Sequence, residues 1–433
     1  MAVGLGAGVP TLERLSASAE RVRWSAATRF IFRIWFVFTL LLIVPRSIEF
    51  LFNLGVWPLI VNWVGRWPIT HILHRPEHLL AGPMSGADFL PDFLAAAILG
   101  GASVVIALAW TLAAPERDHP ALFSWLTTVV RFLLGGLLLF YAWDKILPGQ
   151  FGPGPNLQEV VRPVAQLTPM ELLWAFMSAS RPYAVFSGIA EGVGATLLLA
   201  RRTAVLGAII AVFALANVFM LNVAYDVGVK FLAAQMLVMA LSLIVPHITR
   251  VLRFFVGVET VPLRARPLFD LTQRDRVARI GGALVALFMV WWTYGMAHQI
   301  VAQITTGIGA FHGVWEIESM QRDGSDVPLL VTDGSLWRRI VFPGDDTGAF
   351  VTTMAEAETP YGVQVDKNKA TVTLTPRPIA AARAKRSIWT FAFGGPEKLE
   401  LRGVAPDGST MMRFRRVNVA EWPIIAHEHG WRW

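Results

Sequence analysis

The chain is 433 residues long, 54% hydrophobic and only 16% charged, with a mean hydropathy of +0.50. That balance excludes an ordinary soluble globular protein and points to a polytopic membrane protein. The net charge of +7 therefore bears on topology before nucleic acid, and the absence of cysteine excludes disulfides, thiolate nucleophiles, Cys-ligated iron–sulfur clusters and C-x-x-C-H haem attachment.

Arg21, Arg23, Arg29 and Arg33 precede a long apolar run that has no small-residue cleavage site. Residues 1–28 thus read as a cytoplasmic segment, and the first span as a start-transfer anchor rather than a cleaved signal. Seven stretches are long enough to cross a hydrocarbon core, which takes about 20 residues each. They are 30–52 (broken at Pro45), 93–113, 122–141, 182–200, 203–224, 227–245 and 280–301. Arg14, Arg21 and Arg23 come before the first span, and Arg201 and Arg202 join the fourth to the fifth. Arg250, Arg253, Arg264, Arg266, Arg274, Arg276 and Arg279 crowd the loop before the seventh. By the positive-inside rule all of these are cytoplasmic. The amino terminus is then inside, the membrane domain covers 29–302, and everything after about Gln303 is outside.

In the long first external loop, Trp57, Trp63 and Trp67 stand between apolar residues, as in a helix lying in the membrane interface. The second external loop opens with a Gly/Pro-rich stretch, 148–155. A capping box follows, with Thr168 as N-cap, Pro169 first and Glu171 third, and predicts a short helix over 169–178. Spans five and six are joined only through Tyr225, Asp226, Val227 and Gly228. From about Phe311 the character changes. Asp323-Gly324, Asp333-Gly334 and Asp407-Gly408 are turn signals between β-rich runs at 314–320, 335–342, 371–375, 387–393, 398–403 and 410–417. A small antiparallel barrel or sandwich over 311–433 is expected.

Two opposite charges lie inside spans. Arg131 is near the middle of span three and Glu191 is midway along span four. A charge at the hydrocarbon centre costs roughly 2.5–3.5 kcal/mol, so each needs a partner or a wet pocket. If the spans run antiparallel the two lie at matching depth and are expected to pair. Glu191 sits within Gly188-x-x-x-Gly192, a spacing that lets a neighbouring helix approach closely, and Gly135-Gly136 could supply the matching surface. One reading is a structural ion pair that sets helix register. The other is a carboxylate that handles protons or binds a headgroup.

A second polar set comprises Tyr141, Asp144, Lys145, Asn217, Asn222, Asp226, Lys230 and Gln235. These groups either cap helix ends and satisfy a bend, or line a cavity together with Arg131 and Glu191. A quinone ring or another flat, weakly polar lipid would fit such a place, and so would structural water. His71, His74 and His78 are spaced for one helical face, but Pro76 interrupts it, and His427-Glu428-His429 is an equally slight signal. No metal is assigned. No phosphate loop, nucleotide fingerprint or hydrolase constellation is present.

Tyr141-Ala-Trp-Asp-Lys145 with Leu147-Pro148, then Glu171-Leu-Leu-Trp174, the Glu191 segment ending Arg201-Arg202-Thr203, and Asn217 through Leu221-Asn222 to Tyr225-Asp226-Val-Gly-Val-Lys230 resemble the DoxX family of bacterial integral membrane proteins. The resemblance covers roughly 122–246 and implies a four-helix core in a longer member with extra spans and a carboxyl-terminal extension. One branch, DoxD, is similar to the membrane subunit of a thiosulfate:quinone oxidoreductase. The resemblance carries over Arg131, Tyr141, Lys145, Glu191, Asn222, Asp226 and Lys230 as positions, without catalytic roles. The tail, opening Gly313-Val-Trp315-Glu, resembles the G-x-W start of lipocalin-type barrels, which implies no ligand by itself. The expectation is an inner-membrane protein that is either a quinone-interacting redox subunit or a scaffold whose periplasmic β-domain binds a protein or lipid. No covalent cofactor and no nucleic acid are expected.

Overall fold

A computed structural model describes residues 23–72, 74, 89–258, 272–306, 309–344, 346–377, 386–405 and 408–426. Arg14, Arg21, Pro76, His78, Arg264, Arg266, Asp407 and the His427–His429 pair lie outside them. Seven helices are long and apolar enough to cross a membrane. We label α1 Ala26–Phe52, α2 the shorter helix at 56–71, α3 Leu90–Ala113, α4 Pro120–Ile146, α5 Leu157–Val161, α6 Pro169–Ala179, α7 Arg181–Leu199, α8 Ala204–Ala224, α9 Lys230–Phe255 and α10 Thr272–Thr306. Spans one to seven are thus α1, α3, α4, α7, α8, α9 and α10. The expected break at Pro45 does not occur. A π-helical turn, Thr39–Ile43, precedes Val44 and Pro45, so the chain absorbs the missing N–H within one continuous helix.

The chain divides into two compact units, 1–133 with 261–278, and 134–260 with 279–433. In the first, Arg33 is fully buried and caps the end of α3. It donates to the carbonyls of Ala114 (2.5 Å) and Arg117 (3.2 Å), and its guanidinium lies over the Trp110 ring. Trp57 donates to Asp92 while Trp63 and Trp67 remain exposed, so α2 shows the outside-facing aromatics expected of an interfacial helix.

In the second unit α7 packs between α4 and α8. A Cβ on Gly188 would stand 2.8 Å from the Ala142 carbonyl oxygen, and one on Gly207 would stand 2.6 Å from the Leu198 nitrogen. Both contacts are backbone to backbone, which only glycine permits. The Gly188-x-x-x-Gly192 surface therefore meets Ala142, while Gly135 meets Ala195 and Leu199 farther along. The capping box at Thr168 and Glu171 is present in full.

The tail is a closed antiparallel barrel of eight strands, with a ninth folded onto its edge. β1 Gly313–Arg322, β3 Trp337–Phe342, β4 Gly348–Thr353, β5 Glu358–Asp366, β6 Thr371–Pro376, β7 Ser387–Phe393, β8 Lys398–Ala405 and β9 Gly408–Arg416 pair in sequence order, and β9 returns to β1. β2 Ser325–Val327 pairs with the far end of β1 across the Asp323-Gly324 turn. The β1–β9 pairing leaves the eight-stranded ring without an open edge, which makes it a barrel and not a sandwich. Its interior is filled by its own side chains, among them Phe311, Trp315, Phe342, Tyr361, Trp389 and Phe414, all buried.

Candidate functional site

Glu191 lies about 15 Å along α7 from Arg181, at a rise of 1.5 Å per residue. Its partner is Lys145. The ammonium donates to both carboxylate oxygens, at 2.8 and 2.7 Å, and the two side chains are 6% and 3% exposed. Two local features set this register. Gly188 lets α7 lie against Lys145 and Ile146, and Arg181 donates to the carbonyls of Lys145 (2.8 Å) and Ile146, capping the end of α4. The lysine stem can then reach inward along α7 to the carboxylate.

The expected pairing of Glu191 with Arg131 is thereby corrected. Arg131 stands fourteen residues before Lys145 on the same helix, about 21 Å away along its axis. Its guanidinium lies 4.9 Å over the Phe132 ring, and it belongs to the other compact unit.

Beside the Lys145–Glu191 pair is a narrow cavity of about 40 Å³, room for a few water molecules or the edge of a larger ligand. Tyr141, Lys145, Gln150, Glu191 and Asn222 supply its polar wall. Leu138, Leu215, Leu232, Met236 and their neighbours supply an apolar one. The Lys145 ammonium also lies 5.4 Å from the Tyr141 ring centroid. Four of the sequence-derived candidates thus converge: Tyr141, Lys145, Glu191 and Asn222. Gln150 joins them unforeseen. It lies in the Gly/Pro-rich stretch, where a turn ties the Gly149 and Gln150 N–H groups to the Asp144 carbonyl.

Other candidates lie elsewhere. Asp226 and Lys230 pair with each other at 2.6 Å, with the Asp226 side chain 82% exposed, and neither lines the cavity. α8 ends at Ala224, and Asp226 has φ +53°, so Asp226 lies beyond the helix and shares no helical face with Asn222. Asn217 is exposed, on the side of α8 opposite its buried residues Ala211 and Leu215. Asp144 and Gln235 are buried outside the cavity wall. His71 is occupied by Thr70 and the Trp67 carbonyl, and no cluster of three metal-ligating side chains exists among the described residues.

The connection from α4 to α7 also touches the barrel. Leu157 and Val161 of α5 pack on Val314 and Val341. Gln158 donates to Glu358 (3.1 Å), and Arg339 donates to the Val161 carbonyl (3.3 Å) and to Glu316 (3.0 Å). Arg162 stands between Glu171, at 2.5 Å, and Glu358, at 3.8 Å. Burial pushes the nearby Glu159 carboxyl up to about 7, and the charge of Glu171 adds to the effect. Burial pushes Glu171 up too, but the Thr168 N–H and Arg162 outweigh it and hold that carboxyl below its usual range. No sequence motif marks this junction, because its members come from three separate stretches.

Among curated proteins the chain is similar to the uncharacterized protein YwoB of Bacillus subtilis (strain 168), with 33% identity over 115 residues. The match spans 26% of this chain and 71% of that protein. No family model matches, and no solved structure matches.

Proposed function

The chain belongs to the family of the Bacillus subtilis protein YwoB, and from the site itself we propose that it is a DoxX-like, redox-linked membrane subunit that takes a carbonyl of a quinone beside the Lys145–Glu191 pair. The observation that carries this reading is the pair's position. A buried ion pair serving only helix register needs no adjoining space, yet this one borders a cavity that adds a phenol, two carboxamides and apolar walls. Apolar walls with a few convergent polar groups are the usual lining of a small-molecule site.

The chemistry divides among these residues. Lys145, Tyr141 and Asn222 can donate hydrogen bonds to a quinone carbonyl. Reducing a quinone to a quinol takes two electrons and two protons. Glu191 is the group placed to exchange protons, and the electrons come from a partner protein of the redox class. Basic residues at Arg201, Arg202, Arg250 and Arg253 support an inner-membrane orientation with a cytoplasmic amino terminus and an extracytoplasmic barrel.

The test is quinone binding by the full chain in lipid nanodiscs. Added menaquinone or ubiquinone should quench tryptophan fluorescence saturably, and Glu191→Gln should weaken that binding at least tenfold in a still-folded protein. A purified protein that retains no quinone and shows no saturable quenching overturns the proposal.

A second reading, a membrane scaffold, is favoured by one observation: the barrel interior is already full. Any partner of the barrel must then use its outer surface. On this reading the ion pair is structural, and quinone has no effect.

A further inference from the structure

The outward position of Asn217 has a physical consequence independent of the quinone reading. α8 is a 21-residue helix with a buried face formed by Gly207, Ala208, Ala211, Leu215 and Asn222. At about 100° per residue the opposite face carries Leu206, Phe213, Asn217, Met220 and Ala224. Their spacings are seven, four, three and four, the repeat of a helix–helix seam. Phe213 is 74% exposed, Met220 60% and Leu206 53%, and Asn217 and Ala224 are exposed too. No charged residue interrupts the seam.

Asn217 lies seven residues before the end of α8, about 10 Å inside the helix. At that depth neither water nor a lipid tail satisfies a carboxamide. Among the described residues no side chain bonds to it. A carboxamide carries both a donor and an acceptor, so two of them related by a two-fold axis satisfy one another with two N–H···O bonds. A lone polar residue in an otherwise apolar seam also sets the register and number of the paired helices.

We propose that this face of α8 is a homodimer interface, closed by reciprocal hydrogen bonds between Asn217 and the same residue of a second copy of this chain. Phe213 and Met220, one turn to either side, pack around that central pair.

The chain contains no cysteine, so single-cysteine crosslinking is free of background. In native membranes, Phe213→Cys, Asn217→Cys and Met220→Cys should each form a disulfide-linked species of twice the chain mass on mild oxidation. Ile189→Cys, on the exposed face of α7, should not. In reconstituted vesicles Asn217→Leu should weaken dimerisation about three- to tenfold, read by energy transfer between labelled copies. Its unchanged helical content would show that the fold is kept. Failure of all three seam positions to crosslink, crosslinking as strong from Ile189→Cys, a crosslinked product with the mass of another protein, or unchanged dimerisation of Asn217→Leu would each overturn the proposal.

Discussion

Lys145 and Glu191 are each almost entirely out of contact with solvent, and each satisfies the other. Removing one partner leaves an uncompensated buried charge, at a cost of about 3–5 kcal/mol, whereas removing both leaves none. Lys145→Met and Glu191→Gln should therefore each lower the unfolding temperature markedly, and the double variant should recover most of the loss. Thermal unfolding of the four proteins in one detergent gives this cycle. If each single variant is as stable as the parent, the pair contributes nothing to the fold. If the double variant still binds quinone as the parent does, the pair is structural and the redox proposal fails on this point.

The helices of the second unit depend on two kinds of close fit. Where α7 crosses α8, the Gly207 Cα lies so near the Leu198 and Gly194 backbones that no side chain fits. Gly207→Val should force the helices apart and cost about 1–3 kcal/mol, seen as a lower unfolding temperature with unchanged helical content. The barrel depends on filling instead. Trp315 is 1% exposed, donates its indole N–H to the Phe311 carbonyl at 2.7 Å, and is covered by Arg416. Trp315→Ala should cost about 3–5 kcal/mol, measured as loss of near-ultraviolet circular dichroism at lower denaturant concentration. A barrel unaffected by that change would not be packed as described.

The junction between α5 and the barrel joins the loop that carries Gln150 to the carboxyl-terminal domain. Its pH response follows from Glu159, whose carboxyl sits at about 7 here against an ordinary 4.5. The folded 157–171 segment binds a proton that the unfolded segment releases, so the contribution of Glu159 to its stability is full below about pH 4.5, is lost as pH rises through that window and levels off above about 7. Glu171 is held below its usual range and acts in the opposite sense only at lower pH, so the two effects do not overlap. Protection of residues 157–162 against hydrogen exchange, taken relative to the intrinsic rate at each pH, should fall between pH 5 and 7, and Glu159→Gln should abolish the fall. An unaltered slope in that variant would assign the titration to another group.

Much of this architecture was legible in the amino-acid order. The seven spans and the capping box at Thr168 follow from local hydropathy and local hydrogen bonding, and so do the strands 387–393 and 410–417. Strand β5 was not legible, since Pro360 and Gly362 argue against a strand, and barrel closure supplies the neighbours that hold it extended. The polar groups were legible as a set, but not their partners. Counting depth along straight spans placed Arg131 opposite Glu191. In the fold, the capping by Arg181 and the close approach at Gly188 slide α7 along α4 until Lys145 takes that place. Rotation of α8 likewise turned Asn217 away from the cavity and kept Asn222 in it. Hydropathy reports how deep a residue lies, but which side chain faces it depends on helix register and rotation, and contacts distant in sequence set both.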